Sequence, residues 1–167
     1  MRFVAEHHFE APPAKVVARL ADPAFHLGLA LPDLGPAELL EHQVQGESTV
    51  LRLRYEYTGE LDPRARRLLG GRRLSWVQEL RVDRGAGSGT LRMQAEAAPS
   101  NLNGQARFEV LPSGHGSVRT VHGELRVGVP IIGPMAERRI VPGIVARLNV
   151  EAAELDRQVS AGGRGGR

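Results

Sequence analysis

Cysteine is absent from the 167 residues, which excludes disulfides and thiolate chemistry. Aromatic residues make up only 4% of the chain, with a single tryptophan. That is too few to interleave with a basic surface as nucleic-acid readers do. No apolar run approaches the roughly 18 residues that span a bilayer, so stable membrane insertion is not expected. The opening Met1-Arg2-Phe3-Val4-Ala5-Glu6-His7 meets charge and imidazole at once. No signal-peptide core is therefore expected, and the cytoplasm is the expected compartment. Lysine is nearly missing too, Lys15 being the only one. Arginine stays charged to very high pH, so a pI of about 10.1 overstates a net charge of +3.

What remains is an ordinary globular composition, 41% hydrophobic and 25% charged, at a length suited to one domain. Its main signal is a switch in hydrophobic period. From about Leu39 to Val129 apolar residues recur every second position; after Gly133 they recur every three to four. The expected strands carry Phe3, Ala5, His7 and Phe9; then Leu40, His42 and Val44; then Leu51, Leu53, Tyr55 and Tyr57 on one face. Leu74, Trp76, Gln78, Leu80 and Val82 follow, then Leu91, Met93 and Ala95, then Ala106, Phe108 and Val110, and last Val121, Leu125, Val127 and Val129. Turns are expected at Gly46-Glu47, Gly85 to Gly89, Pro99 to Asn101 and Pro112 to Gly114.

Two short helices should follow the first strand, one carrying Val16, Val17 and Leu20 and another over Ala24 to Leu31. Pro63 to Leu69 has room for one helical turn. A final amphipathic helix is expected from Pro134 to Val159, roughly 40 Å long. Its stripe reads Ile140 or Val141, Ile144 or Val145, Leu148, Ala152, Leu155 and Val159. Arg147 and Glu151 pair at i,i+4 on its polar side, and Pro142-Gly143 predicts a bend or a break. The domain is expected over residues 1–159, with a Gly- and Arg-rich tail over 160–167. Neither sheet nor helix can bury its apolar face alone, so the helix must lie across the sheet's concave side. Such a pairing tends to leave a hollow.

Gln78 and His7 interrupt otherwise apolar strand faces, and Tyr55 and Tyr57 add hydroxyls. An inward polar atom without a partner costs on the order of 1–3 kcal/mol. These groups therefore pair with one another, hold water, or serve as anchors for a mostly apolar guest. Trp76 stacks on a ring-shaped ligand or belongs to the core. Met93, Ile132, Met135 and Ile144 line the helix side of the hollow or simply pack there. The apolar segment Leu27 to Leu34 runs against the polarity normal for a loop, which marks it as a lid.

The six histidines form no metal site: His7 and His8 are strand neighbours and point to opposite faces, and no thiolate is present. Gly85-Ala86-Gly87-Ser88-Gly89 has the outline of a dinucleotide loop, but a strand follows it instead of a helix. Ser117 lies after a hairpin turn and not on a nucleophile elbow. The arginines at 64, 66, 67, 72 and 73 form a basic patch, read as a solvated face or as a contact for an anionic partner.

The opening Met1-Arg2-Phe3 … Phe9-Glu10-Ala11-Pro12 … Val16 … Leu20-Ala21-Asp22-Pro23-Ala24-Phe25 resembles the START-like, polyketide-cyclase-like (SRPBCC) superfamily. With Leu31-Pro32-Asp33-Leu34-Gly35, Leu74 to Glu79 and Gly123 to Gly133, it is most similar to a family known as domain of unknown function 2505. The likeness spans about residues 1–158. It implies an α+β helix-grip fold: a curved seven-stranded antiparallel sheet wrapped around a long C-terminal helix, with a hydrophobic cavity between them. It assigns no reaction and no cofactor.

Three readings follow. The first is a binding protein for a small hydrophobic or aromatic molecule, with His7, Leu29, Leu53, Tyr55, Tyr57, Trp76, Gln78, Met93, Phe108, Met135, Ile140, Ile144 and Leu148 as ligand-binding residues. The second is a cyclase- or dehydratase-like enzyme using His7 or a tyrosine as acid–base. The third is a protein-interaction module whose cavity is filled by its own side chains; an interior space below about 200–300 Å³ favours it.

Overall fold

The computed structural model describes residues 1–97 and 99–161. Its elements run β1 (Arg2–Phe9), α1 (Pro13–Leu20), α2 (Pro23–Leu27), β2 (Glu38–Gln45), β3 (Ser48–Glu56), α3 (Pro63–Leu68), β4 (Ser75–Asp83), β5 (Ser88–Ala95), β6 (Leu102–Ser113), β7 (Gly116–Val127) and α4 (Gly133–Ala161). One seven-stranded antiparallel sheet has the order β1-β7-β6-β5-β4-β3-β2. It curves around α4, which is the expected helix-grip arrangement. Local chemistry sets the small helices. Pro13 opens α1, and Asp22 caps α2 by accepting a hydrogen bond from the Ala24 amide at 2.9 Å.

Cross-strand pairs share a face, so the register lays the inner surface out in rows. From one end these are Tyr55–Trp76–Ala95, then Leu53–Gln78–Met93–Gly104–Leu125, then Leu51–Leu80–Leu91–Ala106–Gly123–Phe3. Beyond them come Thr49–Val82–Gly89–Phe108–Val121–Ala5 and then Val110–Arg119–His7. The later rows are well filled. There α1 packs on β4, β6, β7 and α4, and its Val16, Val17 and Leu20 join Phe9, Phe25, Phe108, Val110, Leu155 and Val159 in one core. Phe108 rests its ring against Gly89, where a Cβ would come within 2.5 Å of it.

The helix leans to one side. It packs on β1, β7 and α1, which leaves the middle of the sheet less tightly covered near the first three rows.

Several local expectations are corrected. A bulge between Leu39 and Glu41 turns Leu40 outward and brings Leu39, opposite Leu53, into contact with the core. β2 is the sheet's edge, so His42 and Val44 are exposed. The last hairpin turns at Gly114 and His115, one step later than expected, with Gly114 at a φ of 58° that favours glycine. α2 ends at Leu27, ahead of the expected Leu31. Pro142 sits inside α4 without breaking it, and the helix takes in Ser160 and Ala161. The rest of the expected tail, 162–167, lies outside the described residues.

Leu155 is fully buried where α4 crosses the core. Leu155→Ala should cost about 2–5 kcal/mol in urea denaturation. Met135→Ala, on an exposed stretch of the same helix, should stay within about 0.5 kcal/mol of the parent.

Candidate functional site

Between the first three rows and α4 lies a cavity of about 130 Å³. Its floor is Tyr55, Trp76, Gln78, Leu91, Met93 and Ala106; Phe3, Val121 and Leu125 close one side; Ile144, Arg147, Leu148 and Glu151 come from α4. Leu31 and Leu34 reach in from the segment after α2. That segment is fastened to the end of β3 by a Leu34–Tyr57 bridge and by Gly35 and Thr58 amides donating to the Glu56 and Asp33 carbonyls at 3.0 and 2.9 Å. Arg147 clamps it from the other side: its Nε donates to the Pro32 carbonyl at 3.0 Å, and its guanidinium lies 5.8 Å from the centre of the Tyr57 ring.

Of the sequence-predicted ligand residues, Tyr55, Trp76, Gln78, Met93, Ile144 and Leu148 meet at this cavity. Tyr55 and Trp76 are stacked 6.0 Å apart at 26°. Burial first, and then the negative charge of Glu151, push the Tyr55 phenol well above its usual pKa. The others stand elsewhere. Leu29, Leu53 and Phe108 are packed in the core, and Tyr57 carries Arg147 at the rim. Ile140 is half-buried away from the cavity, and Met135 is half exposed. The reason is the lean of α4, which presents the 144–151 stretch to the hollow and leaves its first turns outside.

His7 does not line the cavity either; it belongs to a buried polar cluster behind it. Arg119, 2% exposed, pairs with Glu151 at 2.5 Å and donates through Nη2 to His7 Nδ1 at 3.2 Å. A guanidinium only donates, so Nδ1 accepts and the ring proton sits on Nε2, which donates to Asn149 Oδ1 at 3.0 Å. Burial, and after it the charge of Arg119, lower the His7 pKa below its ordinary value of 6.5. Both ring nitrogens are thus engaged within the protein.

Arg119 and Glu151 were missed as site residues because charge reads as surface. The signal was present in the period: Arg119 is in phase with Val121 and Leu125, two and six residues on. Glu151 does not pair with Arg147, as i,i+4 spacing suggested; Glu151 turns to the buried Arg119 and Arg147 to the Pro32 carbonyl at the rim. A wider depression of about 500 Å³ on the sheet's outer face is walled by Arg81, Asp83, Arg107 and Glu109. Its mixed charges do not suit an apolar guest.

Three comparisons set this geometry beside known proteins. The family described as Protein of unknown function (DUF2505) matches residues 5–158. No curated protein matches the sequence. Among solved structures, TTHA0849 from Thermus thermophilus is similar with a TM-score of 0.68 at 16% identity, covering 97% of this chain and 99% of that one. The Zhui aromatase/cyclase from Streptomyces sp. R1128 gives 0.62 at 18%, covering 98% of each chain. A START superfamily protein from Mycobacterium smegmatis gives 0.58 at 15%, covering 96% and 97%. At these identities the likeness concerns the fold.

The buried cluster carries two consequences. Glu151→Leu leaves Arg119 without its counter-charge and should cost roughly 3–5 kcal/mol, whereas adding Arg119→Met should restore most of it; a double-mutant cycle in urea checks this. A histidine whose pKa is lowered by folding binds protons more readily when unfolded. Its contribution is therefore complete above pH 6.5 and is lost as pH falls from there through the lowered folded value. Stability measured against pH should show this decline in the parent, and His7→Gln should remove it while leaving the carboxylate-driven fall at lower pH.

Proposed function

The chain belongs to the family described as Protein of unknown function (DUF2505), and from that footing we propose that it binds one small, flat, largely apolar molecule between sheet and C-terminal helix. The observation that carries this reading is the unfilled space itself. It is walled by Trp76, Leu91, Met93, Leu125 and Leu148, yet Gln78 and Glu151 open onto it. Apolar walls with a few fixed polar groups are the usual make-up of a small-molecule site: burial supplies affinity and the polar atoms orient the guest. Gln78 offers both a donor and an acceptor, while Glu151 offers an acceptor.

Size narrows the guest. A dry apolar cavity of about 150 Å³ accepts benzene, so a space of about 130 Å³ suits a single ring. A larger guest either projects from the open side of the space or lifts the Leu31–Leu34 segment, breaking the Arg147 contact to Pro32 and the bridge to Tyr57.

One observation favours a second reading. Small-molecule pockets commonly run to roughly 300–1,000 Å³, and this space is smaller, as a protein-interaction module with a self-filled interior would have. A cyclase-like reaction has less support. The imidazole best placed for proton transfer is committed to Arg119 and Asn149, and burial of the Tyr55 phenol disfavours it as a base.

Trp76 is the only tryptophan and lies in the cavity wall, so its fluorescence reports occupancy. A panel of phenols, naphthalenes, quinones and flavonoids should contain compounds that change it saturably. At a hundredfold excess over Kd such a compound adds about 2.7 kcal/mol of stability. Ala106→Leu, which fills the cavity floor, should abolish both responses without unfolding the protein. Silence across the panel shifts the conclusion to the self-filled interior.

A further inference from the structure

We propose that the end of the molecule formed by α3, the connection 128–132 and the first turns of α4 docks reversibly on an anionic lipid bilayer. Three features meet there. The first is apolar exposure. Ile131 is 95% exposed, Leu68 51% and Met135 50%. They come from separate segments on one end of the sheet, where β3 and β7 finish and β4 begins. A contact from Arg139 Nη1 to Asp62 Oδ2 at 3.2 Å ties the start of α3 to α4.

The second is backbone strain. Ile131 has a φ of 68°, a conformation that a β-branched residue adopts only at a cost. A strained residue with its side chain in water gains nothing from the fold, and such outliers point to a use outside it.

The third is uncompensated charge of one sign. Arg64, Arg67, Arg72 and Arg138 are exposed and make no ion pair among the described residues. The nearby acids are mostly taken: Glu56 by Arg73, Asp62 by Arg139, and Glu137 by the N-terminal ammonium. Exposed apolar side chains and guanidinium groups at the same end match the boundary of an anionic bilayer. The tips enter the acyl margin while the arginines meet lipid phosphates. A nucleic-acid duplex would engage the arginines but give nothing to Ile131, Leu68 and Met135.

This inference does not depend on a guest in the cavity. The two are related only in place, because the cavity occupies the rows nearest this same end.

The test is co-sedimentation of the full chain with vesicles of phosphatidylcholine alone or with an equal part of phosphatidylglycerol. The protein should pellet with the anionic vesicles, stay with the supernatant of the neutral ones, and be released by high salt. The triple variant Arg64→Gln, Arg67→Gln, Arg72→Gln should lower partition at least about tenfold, since each basic residue near the surface contributes. Ile131→Asn relieves the strained φ, because asparagine tolerates that region. Its Tm should hold or rise while partition falls at least about threefold, which separates lost docking from lost folding. Ala106→Leu should partition like the parent, so failure of guest binding and failure of docking remain distinct results. Equal pelleting with both vesicle types, pelleting with neither, or unchanged partition of Ile131→Asn would overturn the proposal. So would arginine-dependent capture of duplex DNA or of an acidic protein without vesicle binding.

Discussion

The ion pair between Arg119 on β7 and Glu151 on α4 sets the seat of the C-terminal helix, and the remaining architecture of the interior follows from that seat. Burying a guanidinium is expensive, and a carboxylate at 2.5 Å offsets the cost only where the remaining donors are also met. His7 accepts one of them and is itself held by Asn149 from the helix. This draws α4 toward β1 and β7, where it also meets α1. A single helix drawn to one wall of a curved sheet cannot equally fill the space above the other wall. The hollow over Gln78, Leu91 and Met93 is the geometric remainder.

That remainder stays small because a second set of contacts narrows it. The segment after α2 contributes Leu31 and Leu34 as a roof, and ordinary backbone bonds to β3 hold it down. Arg147 adds a directional contact, with its Nε on a carbonyl and its flat guanidinium over Tyr57. Burial penalises the charge of Arg147 and lowers its pKa, so this clamp gains less than an exposed arginine would from a comparable bond. The two arginines of α4's neighbourhood thus divide the work. Arg119 fixes the depth of the helix, and Arg147 ties the roof to it.

Much of the fold was legible from alternation alone. The faces of β1, β3 and β4 followed residue by residue, because a half-buried strand has to alternate. Where one extra residue entered, at Leu40, the alternation shifted in a way the apolar residues on both sides concealed. Part of the cavity wall was legible for the same reason: Tyr55, Trp76, Gln78 and Met93 lie on inward phases. Met135 and Ile140 could not be excluded by a helical stripe, since the stripe says which face is apolar and not how far along the helix the sheet extends. Arg119 and Glu151 were illegible to a rule that sends charge outward. The alternation of β7 placed Arg119 on the inward phase, but its counter-charge, Glu151, comes from an element far away in the sequence that alternation does not reach.

One asymmetry of topology accounts for both proposals about function. At one end of the sheet the strands turn back through short hairpins at Gly46, Gly87 and Gly114, and α1 packs over the core there. The other end receives the roof segment, the connection bearing α3, and the connection into α4. Tight hairpins leave little chain to expose, so that end closes on its own apolar rows. Long connections must place their side chains somewhere, and at this end Leu31 and Leu34 turn toward the interior while Ile131, Leu68 and Met135 are left exposed. Interior space and exposed apolar tips therefore occur together, and the arginines of α3 and α4 give the exposed group its electrical sign. The fold alone does not demand that sign: α3 is opened by Pro63 and by Asp62 accepting from the Arg64 backbone amide, and neither calls for the guanidinium groups of Arg64 or Arg67. Their charge is a property of the surface, to be explained by what the surface meets.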